Sequence, residues 1–240
     1  MGVPDERMQS GTMAPEEQIA PGVRRPPHLL WAMAIGALAV LLVLLLGTTL
    51  GTARSFAFER AITAALRQVG NPAAPTGPGW LRPMMIDLTA MGGTTVLTLA
   101  SIGAVVLLLT RRLWLTAALV AAATLSGSVA VVLLKRVVAR ARPDLAGRLV
   151  EVDGHSFPSG HAANSAIVYL TIALLASQVV HGRATRNVLL GGAVLLVGAI
   201  GTSRVYLGVH WPADVLAGWC LGTLWALGWW LAGARLRSAR

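Results

Sequence analysis

The sequence predicts an all-α membrane protein, a bundle of six transmembrane helices, on three observations. Of its 240 residues 55% are hydrophobic and only 12% charged, with a mean hydropathy of +0.66. Apolar runs long enough to cross a bilayer, about 18 residues or more with almost no charge, recur along the chain. The basic residues stand as pairs and triplets at the ends of these runs rather than along a helix face, and several of the eight tryptophans lie near run ends. A chain of this length makes one domain or two small ones, and here its core is a helix bundle in lipid. A net charge of +10 first raises nucleic acid as a partner. No basic helix face and no nucleic-acid motif accompanies it, so no nucleic-acid partner is expected and membrane lipids are. The single cysteine, Cys220, lies in an apolar run, so no intrachain disulfide forms.

Residues 1–27 carry Pro4, Pro15, Pro21, Pro26 and Pro27 among polar residues and read as a disordered tail. The membrane domain is expected over 28–234, with a basic tail at 235–240. Arg24 and Arg25 precede an apolar run at 29–50, which is too long and starts too late for a signal peptide, so it reads as the first span. In 55–69, Phe56, Phe58, Ile62, Leu66 and Val69 alternate with Glu59, Arg60 and Arg67 in the pattern of a helix lying on the bilayer surface. Four prolines make 71–83 a loop. The second span is expected at 84–110, with Asp87 near its start. Arg111 and Arg112 mark a short turn before the third span at 113–134. A polar segment follows, then spans at 161–180, 187–205 and 213–234, joined by the basic turn 181–186 and the turn 206–212.

With six spans both termini share one face with Arg111, Arg112, Arg183 and Arg186. The bare count of basic residues on the two faces is a tie. Short flanking loops carry the positive-inside weight, which puts the termini in the cytoplasm. The polar segment 135–160 and the turn 206–212 then meet at the outer face, and three stretches there carry the chemistry.

The first runs from Lys135 to Arg142 and Pro143. Seven residues are two helical turns, so the two cations face one way if the helix continues; alternatively they are basic residues snorkelling at a membrane edge. The second is Ser156-Phe157-Pro158-Ser159-Gly160-His161, opening an apolar run. It reads either as an anion site at a helix N-terminus that can also move a proton, or as a plain helix cap followed by a histidine. The third is Ser203-Arg204, then His210, Pro212 and Asp214. Arg204 at a span end is expensive without a role. His210 and Asp214, four apart, are neighbours if the turn is helical, so that the carboxylate can fix the imidazole tautomer; the other reading is a cap on the last helix.

Together these supply Lys135, Arg142 and Arg204 as cations, Ser159 and Gly160 as neutral donors, and two histidines. Three fixed charges and a helix N-terminus match the equatorial oxygens of a transferring phosphoryl group. One histidine beside a carboxylate can attack phosphorus while a second protonates the leaving oxygen. No Asp/Glu/His cluster at metal-ligand spacing accompanies them, so no metal or other cofactor is expected and the cations take that role.

Lys135-x6-Arg142-Pro143, Pro158-Ser159-Gly160-His161 and Ser203-Arg204-x5-His210-x3-Asp214 resemble, in order and with every position filled, the three signature motifs of the type 2 phosphatidic acid phosphatase superfamily. The resemblance runs from about Asp87 to the last helix. It implies a metal-independent lipid phosphate phosphatase. His210 would be the nucleophile, oriented by Asp214, and His161 the general acid. Lys135, Arg142, Ser159, Gly160 and Arg204 would hold the phosphate. The superfamily also contains soluble vanadium-dependent haloperoxidases, a branch that six spans disfavour. The short loops are similar to bacterial members, which makes an inner-membrane location and undecaprenyl diphosphate the first expectation, with phosphatidic acid or phosphatidylglycerol phosphate as the alternative. A non-catalytic lipid-phosphate binder or transporter is the reading from another class; two histidines and Asp214 exceed what binding alone needs. Asp144 reads as a surface residue, His155 as lining the pocket mouth or exposed, and His28 and His181 as interfacial. Oligomeric state and regulation leave no mark in the sequence.

Overall fold

Helix α9, Pro212–Ser238, packs against the helices His28–Leu50, Trp114–Val138 and Arg183–Tyr206 and the rod that begins at Gly160. The computed structural model describes residues 28–50, 57–143 and 148–239. The expected tail at 1–27, Ser55, Phe56, Asp144 and Arg240 lie outside the described residues. The elements run α1 His28–Leu50, α2 Ala57–Ala65, β1 Arg67–Gln68, β2 Asn71–Pro75, α3 Leu81–Ala90, α4 Thr94–Thr110 and α5 Trp114–Val138. Then come α6 Gly160–Ser165, a π-helical turn Ala166–Leu170 and α7 Thr171–Ser177, which together make one rod, followed by α8 Arg183–Tyr206 and α9. Among the described residues four helices are long and apolar enough to cross a membrane, or five with α3 and α4 taken as one bent span. Helix α1, 23 residues long and mostly apolar, lies alongside α9. The all-α bundle expected from composition is therefore present, with a two-stranded antiparallel ribbon attached.

Three local expectations need correction. The second apolar run is two helices meeting at 48°, because Gly92 and Gly93 interrupt it and Gly93 adopts an extended backbone. A Cβ on Gly92 would stand 3.3 Å from the His161 ring, so the break lies against the start of α6. The proline-rich segment is not all loop. Gly70, at φ +80°, turns the chain so that β2 pairs with β1, and α3 already begins at Leu81. Pro72 and Pro75 are tolerated at the free edge of a two-stranded ribbon, and Pro83 in a first helical turn where its missing N–H costs nothing. The amphipathic segment does form a helix, α2, but Glu59 on it is completely buried against protein.

Close packing of α6 on α9 sets the position of everything below. Gly218 and Gly222, one turn apart, face the rod. A Cβ on Gly218 would come within 3.0 Å of the Ser159 carbonyl, and one on Gly222 within 2.8 Å of the Ala163 carbonyl. Without side chains there, two helices approach backbone to backbone, as small residues allow in lipid. Two tryptophans serve inside the bundle rather than at its interfaces. Trp219 Nε1 donates to the Val197 carbonyl at 3.0 Å and Trp225 Nε1 to Ala123 at 2.9 Å.

Candidate active site

Helix α5 stops four residues before the second cation of the first stretch. Ala139 turns left-handed, at φ 49°, and its N–H closes on the Lys135 carbonyl. Lys135 and Arg142 are thus not aligned by two continuous turns of helix. They converge because both bind carbonyls of one loop. Lys135 Nζ donates to His155 at 2.8 Å, while Arg142 donates from Nε to Gly154 and from Nη2 to Asp153, both at 2.9 Å. His155 contributes its carbonyl. A third bond, Arg142 Nη1 to the Val209 carbonyl at 2.8 Å, ties this guanidinium to the third stretch.

The second stretch starts the α6 rod at Gly160, with Ser159 extended at the N-cap. Its N–H donates to the Asp214 carbonyl at 2.9 Å and its own carbonyl accepts from Ala163 at 2.9 Å. Gly160 lies under the Lys135 stem, where a Cβ would sit 3.4 Å from Cε. The Ser159 hydroxyl is buried with no hydrogen-bond partner among the described residues.

Arg204 closes α8, almost fully buried, with Nη1 donating to Thr89 Oγ1 at 2.8 Å and Nε without a partner among the described residues. Gly208, at φ +72°, then turns the chain towards His210. His210 and Asp214 do not share a helical face, because His210 precedes the N-cap Trp211. Asp214, in the first turn of α9, folds back, and its Oδ2 accepts the Trp211 N–H at 2.9 Å. That places Oδ2 3.5 Å from His210 Nδ1. Ser156 bridges the gap: its Oγ is 3.4 Å from Nδ1 and donates to Asp214 Oδ2. On the other side of the ring, Nε2 stands 3.1 Å from Arg142 Nη1.

Burial pushes the His210 imidazole down to about 4, because Arg142 and Arg204 add to it and Asp214 only partly offsets it. The ring is therefore neutral at pH 7, with a lone pair on one of its nitrogens. Burial, then Arg148, lowers the Arg142 guanidinium, which stays charged at neutral pH. His161 lies in electrostatic reach of Arg204, His210, Lys135 and Arg142. All eight residues singled out in the sequence are thus gathered at one place. Buried donors at Ser159 and Arg204 stand there beside the cations Lys135 and Arg142.

Four contributors escaped the sequence reading: Ser156, Thr89, Glu59 and Arg140. Ser156 stood in the motif stretch and its hydroxyl was the available signal. Glu59 and Arg140 had none, since their meeting depends on α2 folding back. Arg140 donates from Nη2 to Glu59 Oε2 and from Nη1 to Asp214 Oδ1, both at 2.6 Å. Burial alone would lower this guanidinium, but the two carboxylates outweigh it and hold it raised. Asp87, placed by the sequence near the start of a span, lies on α3. Just past the α3–α4 break a 400 Å³ cavity opens between α4, α5 and the α6 rod, lined by Thr94, Leu97, Ser101, Thr124, Asn164 and Val168 among others. Asn164 is one turn beyond His161.

A family model described as the PAP2 superfamily matches residues 113–238. The chain is 39% identical over 148 residues to a decaprenylphosphoryl-5-phosphoribose phosphatase of Mycobacterium tuberculosis, covering 60% of this chain and 75% of that protein. It is 44% identical over 93 residues to phosphatidylglycerophosphatase B of Bacillus subtilis, covering 38% of this chain and 45% of that one. Its fold is similar to the crystal structure of a transmembrane PAP2-type phosphatidylglycerolphosphate phosphatase from Bacillus subtilis, with a TM-score of 0.67 and 27% identity over 82% of this chain and 93% of the other.

Proposed function

The chain belongs to the PAP2 superfamily and is an integral membrane lipid phosphatase, and we propose that it removes a phosphate from a polyprenyl-linked lipid at the outer membrane face through a phosphohistidine intermediate. The observation that carries this reading is the pairing of buried, unpartnered donors on Ser159 and Arg204 with the Nε2 lone pair of His210. A phosphoryl group satisfies those donors, and its negative charge is matched by Lys135, Arg142 and Arg204.

In the first half-reaction His210 Nε2 bonds to phosphorus as the bond from phosphorus to the lipid oxygen breaks. His161, protonated once the bound phosphate's negative charge offsets the cations around it, delivers its proton to that oxygen, which leaves as the lipid alcohol, or as a lipid phosphate if the substrate is a diphosphate. Positive charge develops on the His210 ring, and Asp214 with Ser156 stabilises it through Nδ1–H. In the second half-reaction water attacks phosphorus, His161 takes its proton, and the P–N bond breaks to release inorganic phosphate. The cavity beyond the α3–α4 break accommodates part of the chain.

Undecaprenyl diphosphate is the first substrate to test. The mycobacterial relative adds a polyprenyl-phosphoryl phosphosugar to the panel, and the two Bacillus likenesses keep phosphatidylglycerol phosphate as the second reading. We take α1 as the sixth span and both termini as cytoplasmic. The test is phosphate release by purified protein from these lipids and phosphatidic acid, with acid-quench trapping of labelled phosphoenzyme. Turnover with a trapped phosphohistidine in the wild type, and loss of both in His210→Ala, is expected. Phosphoenzyme labelling retained in that variant overturns the nucleophile assignment. Binding of every lipid without release overturns the reaction.

A further inference from the structure

Helix α2 has no place in the chemistry described so far, yet it inserts a completely buried carboxylate behind the site. Glu59 accepts from both terminal nitrogens of Arg140, at 2.6 Å from Nη2 and 3.2 Å from Nη1, and from the Ala213 N–H at 3.1 Å. Ala213 and Asp214 are consecutive in the first turn of α9. Arg140 Nη1 is shared between Glu59 Oε1 and Asp214 Oδ1. The result is a continuous line from Glu59 through Arg140 and Asp214 to His210, with the Trp211 ring 5.7 Å from the guanidinium along its edge. Glu59 and Asp214 are wholly buried, and Arg140 is 8% exposed.

A buried ion pair contributes little to stability for its cost in desolvation, so a structural role alone explains it poorly. An alternating line of charges does something else. With Asp214 as its sole carboxylate partner, Arg140 would neutralise the group that has to stabilise charge on the His210 ring. A second carboxylate behind the guanidinium draws part of its field away. We infer that Glu59, acting through Arg140, is a positioning residue for His210: it divides the Arg140 charge so that Asp214 keeps a negative face towards the ring. The inference rests on the proposed role of His210.

Other charges at the ring belong to other elements and stay constant in the test. They are Arg142 from the α5–α6 connection, Arg204 from α8, Lys135 from α5 and His161 from α6. Glu59→Gln removes the negative charge and leaves Arg140 less compensated, so protonation of His210 becomes harder and its midpoint falls. Arg140→Gln removes the positive charge and the midpoint rises. Shifts of about half to one unit are expected in each direction.

The experiment is a 15N-histidine titration of the detergent-solubilised full chain from neutral pH to about 2.5, with His210 assigned by its loss in His210→Gln. A pH–rate profile on the panel lipid that the wild type turns over accompanies it. Opposite displacements of the His210 midpoint in the two variants support the inference. So does a fall in kcat of about tenfold in Glu59→Gln with KM within about twofold, since the phosphate donors are untouched. If Arg140→Gln fails to fold, Glu59→Gln alone decides. A Glu59→Gln protein that loses activity or thermal stability with an unmoved midpoint makes Glu59 structural and overturns the inference. A wild type with an assigned His210 titration but no phosphate release overturns the proposed function instead.

Discussion

Arg142 Nη1 stands 3.1 Å from His210 Nε2, and this contact fixes the ring's tautomer. A guanidinium only donates, so Nε2 is the acceptor and the proton resides on Nδ1, beside Ser156 and Asp214. The lone pair proposed to attack phosphorus thus faces the Arg142 guanidinium. At pH 7 a 15N spectrum of His210 is expected to show a neutral ring protonated at Nδ1. Protonation at Nε2 would contradict the arrangement. Arg142→Gln releases that constraint and removes a phosphate ligand, and kcat/KM is expected to fall by about 10²–10³-fold.

The low proton affinity of His210 gives the pH dependence a definite sign. The proposed nucleophile is neutral above about 4 and protonated below it, so kcat/KM is expected to fall on the acid side near that value. Stability follows the same group. In the unfolded chain an ordinary histidine titrates near 6.5, so between about 6.5 and 4 the unfolded state binds the extra proton. Stability therefore declines as pH falls through this window. Thermal unfolding of the wild type and His210→Gln across the window checks it: the variant's midpoint should depend less on pH.

Gly222→Val tests whether the site depends on backbone contact between α6 and α9. The new side chain meets the Ala163 carbonyl and Ala166, neither of which can rotate away. Destabilisation of about 1–3 kcal/mol is expected, with loss of activity, because the helix start carrying Ser159 and His161 is pushed off α9. Gly191→Ala on α8 has open space around it and serves as the control that should change neither.

Charge stabilisation by Lys135, Arg142 and Arg204 predicts that phosphate release persists in excess chelator. Vanadate, which copies the geometry of the transferring phosphoryl group, should inhibit. A strict requirement for magnesium would count heavily against the proposed mechanism.

The sequence was most legible where local chemistry decides. Lys135, Arg142, Ser159, His161, Arg204, His210 and Asp214 were each visible as polar residues near the ends of apolar runs, where an unused charge is costly, and Gly160 as a neutral donor beside them. How they meet was not visible. Two turns of helix between Lys135 and Arg142 gave way to a left-handed stop at Ala139, and a shared helical face for His210 and Asp214 gave way to a fold-back at the start of α9. Both outcomes reach the expected proximity by tertiary contacts that periodicity does not encode. Glu59 was hidden for the same reason, since an acidic residue on an amphipathic pattern reads as solvated until a partner covers it. The bend at Gly92–Gly93 was announced only by the glycines, which an apolar run of this length readily absorbs.

The distances along the chain between the partners around Asp214 also bear on how the protein is made. Glu59 finds Arg140 after 81 further residues and Ala213 after 154, while Arg140 reaches Asp214 across 74. Synthesis delivers Glu59 first, Arg140 next and Ala213 with Asp214 last, so the network around Asp214 closes only with the final helix. Until α9 is in place, Asp214 is missing and the proposed nucleophile His210 has no carboxylate beside it. A chain truncated before that helix is expected to release no phosphate, because the carboxylate beside His210 arrives only with the last segment.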